Sequence, residues 1–331
     1  MPSKSVARAV IKYHGLMSSH ISLQAEVPEE LSGSRLDQIA AKLFPEYSRG
    51  RLQSWIREGA LLVNSKQLRP RDRLQTGDSL LVEAELASTE SWVAQQMDLD
   101  IVFEDEHLLI INKAADVVVH PAAGHQDGTL LNGLLYHCPS LKELPRAGIV
   151  HRLDKDTTGL MVVAKSLIAH TSLVNQLQAR EMSREYEAVV HGVLTGGGTI
   201  NKPLGRHAVN RKKRAIVEMG QEAVTHYRVK KRFRAHTHVD VKLETGRTHQ
   251  IRVHMAYLKH TIVGDQMYGG RLQLPAACSA ELSEYLRNFK RQALHARRLA
   301  LVHPLDQAAM SWEIERPQDM NELIIRLEND V

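Results

Sequence analysis

Cysteine is nearly absent from this 331-residue chain: Cys138 and Cys278 are the only two. They form neither a disulfide framework nor the paired spacing of a zinc site, and such usage suits a reducing, cytoplasmic setting. No apolar run is long enough to span a bilayer, so no membrane partner is expected. The first twenty residues carry Lys4, Arg8 and Lys12 but no continuous apolar centre and no small-residue cleavage site. They read as a flexible tail, 1–20, rather than a secretion signal, with Met17 as an alternative start. The Gly196-Gly197-Gly198 stretch has no following Gly-Lys-Ser/Thr, which excludes a phosphate-binding P-loop. His249 and His254 lack the glutamate of a His-Glu-x-x-His helix, so no zinc site is expected. No metal and no small-molecule cofactor is therefore anticipated.

What the chain does have is positive charge and material for a core. Its formal net charge is +5, which favours a polyanionic partner, and 43% hydrophobic residues suffice for one or two domains. The run Gly148-Ile149-Val150-His151-Arg152-Leu153-Asp154-Lys155-Asp156-Thr157-Thr158-Gly159-Leu160 stands out. It sets two basic residues and two carboxylates between Arg152 and Asp156, closes in a Thr-Thr-Gly turn, and enters an apolar stretch, 160–164. Read as a short loop between two buried strands, it holds a carboxylate rigidly and partly out of water. That is the setting of a nucleophile or a general base. Ordinary turn chemistry accounts for the same Asp and Thr residues about equally well.

A second segment shifts the balance. Leu243-Glu244-Thr245-Gly246-Arg247-Thr248-His249-Gln250-Ile251-Arg252-Val253-His254 puts two Arg and two His in a tight span. Together with 148–160 it resembles the RluA family of RNA pseudouridine synthases. That family's signatures read His-Arg-Leu-Asp followed by Thr/Ser-Gly, and later Gly-Arg-Thr-His-Gln-Ile-Arg. Arg184-Glu185-Tyr186-Glu187-Ala188 is similar to its middle motif, whose tyrosine lies in the active site. Asn112-Lys113 and Val119-His120-Pro121 resemble the start of its catalytic domain. Ala114 and Ala122 depart from the Pro and Gly common in the family.

Organisation follows the same division. Leu36, Ile39, Ala40 and Leu43 recur at helical spacing, and Ser48 suits the N-cap of a second helix over 49–58. Strands over 61–64 and 79–82 follow, in an order that resembles the S4 RNA-binding domain. Arg49, Arg51 and Arg57 on the second helix are then expected to neutralise phosphates. Polar residues 85–97 read as a linker, giving an S4-like domain with linker at 21–92 and a catalytic domain at 93–331. Short strands at 101–103, 108–111, 117–119, 186–190, 223–227, 237–243 and 299–302, with helices at 129–137 and 169–179, predict an α+β fold. Its sheet is expected to be mixed and mainly antiparallel. Arg211-Lys212-Lys213-Arg214, in a polar loop, and the cluster from Arg228 to Arg234 are expected to meet phosphates as well.

The resemblance implies conversion of uridine to pseudouridine in large-subunit (23S) ribosomal RNA, at the stem-loop called helix 69, in free RNA or a pre-ribosomal large subunit. The N1–C1′ bond breaks, the uracil turns, and C5 rejoins C1′, without redox change. By resemblance the carboxylate is Asp154, attacking C1′ or removing a ribose proton. An arginine partner is expected because burial disfavours the charged carboxylate. Arg252 is the first choice and Arg247 the second; in a strand the two would face opposite sides. Tyr186 would stack on the base and share in proton transfer at C5. Arg152 would fill the vacated stack, and His151 would fix the loop. Asp156 is read as a turn residue rather than half of a metal pair. The competing reading is a non-catalytic RNA-binding ribosome-assembly factor, against which the set Asp154, Tyr186 and Arg252 argues.

Overall fold

The computed structural model describes residues 9–10, 20–45, 47, 49–85, 92–121 and 126–330. The chain divides into two units, Met1–Ser91 and Trp92–Val331. The expected cap Ser48, most of the tail, the centre of the linker and Ala122 lie outside the described residues.

The first unit contains β1 (Ala9–Val10), β2 (His20–Glu26), α1 (Leu36–Leu43), α2 (Arg49–Glu58), β3 (Leu61–Val63) and β4 (Ser79–Glu85). Its antiparallel sheet runs β1-β2-β4-β3. Leu23 and Ala25, two apart on β2, join Leu80, Val82 and Ala84 in the core, where they meet Leu36 and Ile39 of α1 and Leu52, Trp55 and Ile56 of α2. The strand β2 was not foreseen, and Ala9–Val10, placed in the tail, pairs with Leu23 and Ser22. Asp37, fully buried on α1, accepts from Arg35, Arg49 and Gln53. Burial alone would raise its carboxyl, but those bonds outweigh it and hold it below the ordinary range.

The second unit contains β5 (Ile101–Glu104), β6 (Leu108–Lys113), α3 (Leu130–His137), β7 (Thr158–Ala164), α4 (Leu167–Gln178), β8 (Ser183–His191) and β9 (Gly198–Asn201). These are followed by β10 (Leu204–Arg206), β11 (Arg214–Ile216), β12 (Val224–Arg232), β13 (His236–Leu243), α5 (Gln250–Tyr257), α6 (Ala280–Asn288), β14 (Leu294–Val302), β15 (Ala309–Glu313) and α7 (Gln318–Asn329). The main sheet runs β5-β6-β7-β14-β8-β13-β12-β9, with β15 on β14, and β10-β11 form a separate hairpin. Among the described strands only the β7–β14 pairing is parallel.

Both faces of the sheet are covered, which explains the unbroken apolar runs of β6 and β7. Leu109, Ile111, Met161 and Val163 face the core that holds α3, while Leu108, Ile110, Leu160, Val162 and Ala164 face α4. Gly159 is required where β7 meets β14: its φ is +117°, and a Cβ would collide with the Ala296 backbone. The Thr-Thr-Gly sequence is thus a docking segment rather than a turn. Thr158 Oγ1 meets His295 Nδ1 at 2.9 Å, and Gln292 donates to Thr157 Oγ1 at 2.9 Å.

Three expectations are corrected. Residues 117–119, though β-branched, form no strand. The run before Asp154 is not a strand either. Pro145 starts a tight 3-10 turn in which Arg146 and Ala147 take φ of 53° and 51°, leaving Ile149 a single bridge to Val163. The second basic cluster is largely engaged within the protein. Lys231 pairs with Glu328, Arg234 with Asp330, and Arg232 donates to the carbonyls of Leu194 and Thr195.

Lys230 belongs to a tighter knot around Glu187, a carboxylate with 1% of its side chain exposed. Lys230 and Arg297 donate to Oε1 at 2.5 and 2.6 Å, and Arg316 and His238 meet Oε2 at 2.9 and 3.0 Å. Burial would raise this carboxyl, yet the four partners hold it far below the ordinary range. Removing one member of a buried ion group leaves uncompensated charge. Glu187→Gln should therefore cost about 3 kcal/mol in denaturant unfolding at neutral pH. The folded value is depressed, so the stabilisation is complete above the ordinary value of 4.5 and fades as pH falls below it. The gap between wild type and variant should narrow from about pH 5 to about pH 3.

Candidate active site

The segment bearing Asp154 is short and tethered throughout. Lys113, at the end of β6, is buried and donates to the carbonyls of Ala114, Val117 and Lys155 at 2.7, 3.0 and 2.8 Å. The Thr157 amide donates to the Asp154 carbonyl at 3.0 Å and closes a turn through Lys155 and Asp156. His151 accepts the Val162 amide at 3.1 Å, which ties the upstream side to β7. Burial first, and then repulsion from Arg184, pulls His151 down to about 3, so it is a neutral acceptor. Asp154 itself keeps 15% of its side chain exposed.

Arg252 reaches Asp154 from the opposite side, with Nη1 donating to Oδ2 at 2.9 Å. Its other two nitrogens clamp Asp265 at 2.7 and 2.9 Å. Asp265 is buried and accepts the Met267 and Tyr268 amides at 2.8 and 3.0 Å. Burial would lower the guanidinium, but the two carboxylates outweigh it, so Arg252 is a fixed cation. The segment after Leu243 is a turn followed by α5, not a strand. Arg247 therefore stands at the exposed turn, donating to the Glu222 carbonyl at 3.1 Å, and Arg252 in the first turn of the helix. Helical geometry, not strand alternation, separates them.

His249 completes this wall. It caps α5 in the left-handed region with φ 58°, and its Nε2 faces Asp154 Oδ1 at 3.8 Å. Its Nδ1 meets the Tyr268 hydroxyl at 2.8 Å, and that oxygen accepts the Arg214 amide at 2.8 Å. The Tyr268 O–H is thereby left to donate to Nδ1, which places the imidazole proton on Nε2, toward Asp154. The Tyr268 ring also lies under Arg252, 5.1 Å from centroid to guanidinium carbon. Asp265 and Tyr268 escaped sequence reading, since Gly264-Asp265 carries no pattern beyond that of a turn.

These groups open on a cleft of about 830 Å³. Tyr186 of β8 lines it, 6% exposed, and burial raises its phenol above the ordinary value. Its hydroxyl has no hydrogen-bond partner among the described residues. Arg146, Arg152, Arg180, Arg184, Arg247 and Arg252 line the same cleft, against the carboxylates of Asp154 and Glu244. Arg152 is exposed at the rim. The cleft thus joins one carboxylate, held by a fixed cation, to an aromatic face within strongly basic walls. Such a site suits an anionic substrate that presents a planar ring.

Other expected residues fall elsewhere. His254 is spent on structure, its two nitrogens meeting Thr225 Oγ1 and the Lys202 carbonyl. Among the described residues no cluster of three or more His, Cys, Asp or Glu has metal-binding geometry. Arg211 and Lys212 are exposed on the loop of the β10–β11 hairpin, Lys213 Nζ stands 5.8 Å from the Tyr268 ring centroid, and Arg214 begins β11. In the first unit Arg49 is held by Asp37, while Arg51 and Arg57 are exposed on α2.

Comparison with known proteins supplies the family. The sequence profile described as RNA pseudouridylate synthase matches residues 107–257, and that of the S4 domain matches 34–80. The Pseudomonas aeruginosa protein named ribosomal large subunit pseudouridine synthase D is 60% identical over 95% of this chain and 98% of its own length. The Escherichia coli K12 protein of the same name is 51% identical over 93% and 95%. The solved structure of human RNA pseudouridylate synthase domain containing 4 superposes with a TM-score of 0.54 at 25% identity, covering 69% of this chain and 92% of its own.

Lys113 gives a direct test of the tethered loop. Burial, the largest influence, pulls its ammonium from 10.5 to about 8 despite the nearby carboxylates. Between those values the unfolded chain holds the extra proton, so the stability that Lys113 confers rises with pH. The stability difference between wild type and Lys113→Met in denaturant titrations should move in favour of wild type from about pH 8 to about pH 10. A difference that stays flat across this window would contradict the buried placement.

Proposed function

Because this chain belongs to the RNA pseudouridine synthase family, we propose that it isomerises uridine in large-subunit ribosomal RNA, at helix 69, with Asp154 as its catalytic carboxylate. The observation that carries this reading is the Asp154–Arg252 hydrogen bond at 2.9 Å, set in the same cleft as Tyr186. The S4 match and the names of the relatives support ribosomal RNA as the partner. No described helix is long and apolar enough to cross a membrane.

The site residues divide the work. A uridine inside folded RNA must leave its stack, at a cost of a few kcal/mol. Arg152 at the rim fills the vacated place, and Tyr186 receives the base face. Asp154 acts on the ribose, by addition to C1′ or by taking a ribose proton. Arg252 orients it in either case, and the Asp265 clamp keeps Arg252 from following a substrate phosphate instead. His249 turns its Nε2 proton toward Asp154 at 3.8 Å, beyond hydrogen-bond distance, and lines the same wall. Exposed Arg211 and Lys212 on the hairpin, with Arg51 and Arg57 on α2, meet phosphates.

C5-tritium release from uridine-labelled large-subunit rRNA tests this reading. Wild type should release tritium and Asp154→Asn should not, while binding the RNA equally well. Replacing the helix 69 uridines by cytidine should remove the signal; release that persists undiminished would place the substrate elsewhere. A second measurement addresses the hairpin. Replacing Arg211 and Lys212 with Ala should reduce the log–log salt slope of RNA binding by about 1.4 to 1.8, the contribution of two phosphates. An unchanged slope would remove the hairpin from the RNA interface.

A further inference from the structure

Among the six arginines of the cleft, Arg184 is differently placed. Arg252 and Arg180 have carboxylate partners, and Arg146, Arg152 and Arg247 reach solvent. Arg184 is 7% exposed, and among the described residues no carboxylate lies within ion-pair distance of it. Its one hydrogen bond, from Nη2 to the Glu244 carbonyl, is long at 3.5 Å, and its buried Nε has no partner at all. A guanidinium does not shed its proton, so this is a full positive charge held in the protein with little to answer it. The fold makes room for it deliberately: a Cβ at Gly246 would collide with the guanidinium.

Position narrows what the charge is for. Arg184 stands two residues before Tyr186 on β8, so the two side chains share a face of the sheet. Its charge acts on both the Tyr186 phenol and the His151 imidazole. It is thus sunk beside the ring that receives the base, whereas exposed Arg146, Arg152 and Arg247 are better placed for phosphates. The reaction creates an anion there. When the C1′–N1 bond breaks, its electron pair stays with the uracil and spreads over N1, O2 and O4. C5 then bonds to C1′, loses its proton, and N1 gains one, so the proton count is unchanged.

We propose that Arg184 is a catalytic residue that stabilises the departing uracil anion through its carbonyl oxygens. This rests on the reading of Tyr186 as the base platform. A cation already satisfied by a carboxylate would answer the neutral and the anionic ring alike. An unpaired one is free to respond to charge that develops only as the bond breaks, and that difference lowers the barrier.

Single-turnover isomerisation with saturating enzyme separates this role from others. Arg184→Gln should slow the reaction by about 10² to 10³, the effect of losing one oxyanion donor, with RNA affinity within about threefold of wild type. Arg184→Lys should recover part of the rate. When 5-fluorouridine replaces the target uridine, its uracil leaves more readily as an anion. The ratio of wild type to Arg184→Gln in glycosidic cleavage, read by loss of 5-fluorouridine from digested RNA, should then shrink. The melting temperature of Arg184→Gln should not fall, because an unpaired buried charge has been removed. Weakened RNA affinity with an unchanged rate would make Arg184 a phosphate contact and overturn the proposal. So would a lowered melting temperature with equal losses on both substrates, which marks a structural role. Inactive wild type would overturn the isomerase reading itself, not the assignment within it.

Discussion

Arg252 divides one guanidinium between two carboxylates, and most of the site is arranged around that division. Two nitrogens go to Asp265, which has no exposure of its own and is held by two backbone amides. The third goes to Asp154, which keeps a small window on the cleft. The inner carboxylate fixes the arginine, and the arginine fixes the outer carboxylate. Each link is charge-assisted and short, so the Asp154 carboxylate is positioned by hydrogen bonds whose own partners are held in turn. Tyr268 closes the arrangement, lying under the guanidinium while its hydroxyl orders His249.

The other side is held as closely. The loop around Asp154 is gripped through both backbone and side chains: Lys113 holds the Lys155 carbonyl, the Thr157 amide closes onto the Asp154 carbonyl, and the His151 ring accepts the Val162 amide. The Arg152 side chain is exposed at the rim, and that of Asp154 keeps a small opening to the cleft. The cleft thus has a rim of exposed arginines and, in its interior, one guanidinium without a carboxylate partner among the described residues. In general, exposed charge steers a polyanion, whereas a fixed charge in a dry site counts most where charge develops.

Much of this was readable from the residues. The apolar runs 108–111 and 160–164 became β6 and β7 because both sheet faces are covered, and the mixed, mainly antiparallel sheet followed. Arg252 was paired with Asp154 for a sound electrostatic reason but on a wrong local geometry, since 247 to 252 spans a turn and a helix start. Residues 117–119 have strand composition and no strand partner, because pairing depends on neighbours that sequence alone does not supply. The basic cluster near Arg232 has the composition of an RNA contact, but Lys230, Lys231 and Arg234 are taken up by Glu187, Glu328 and Asp330, all distant in sequence. Asp265 and Tyr268 were invisible for a related reason. Their importance lies in what they touch, and nothing in Gly264-Asp265-Gln266-Met267-Tyr268 announces a contact with Arg252.

The place of β14 in the sheet has one more consequence. This strand, residues 294–302, lies between β7 and β8, which precede it by more than a hundred residues. His295 of this strand and Gln292 just before it anchor Thr158 and Thr157, beside the Asp154 loop. During synthesis, therefore, the segments bearing Asp154 and Tyr186 emerge long before the strand that parts and anchors them. The nascent enzyme holds Asp154, Tyr186 and Arg252 yet no finished cleft, and acquires one only after residues 294–302 have been made.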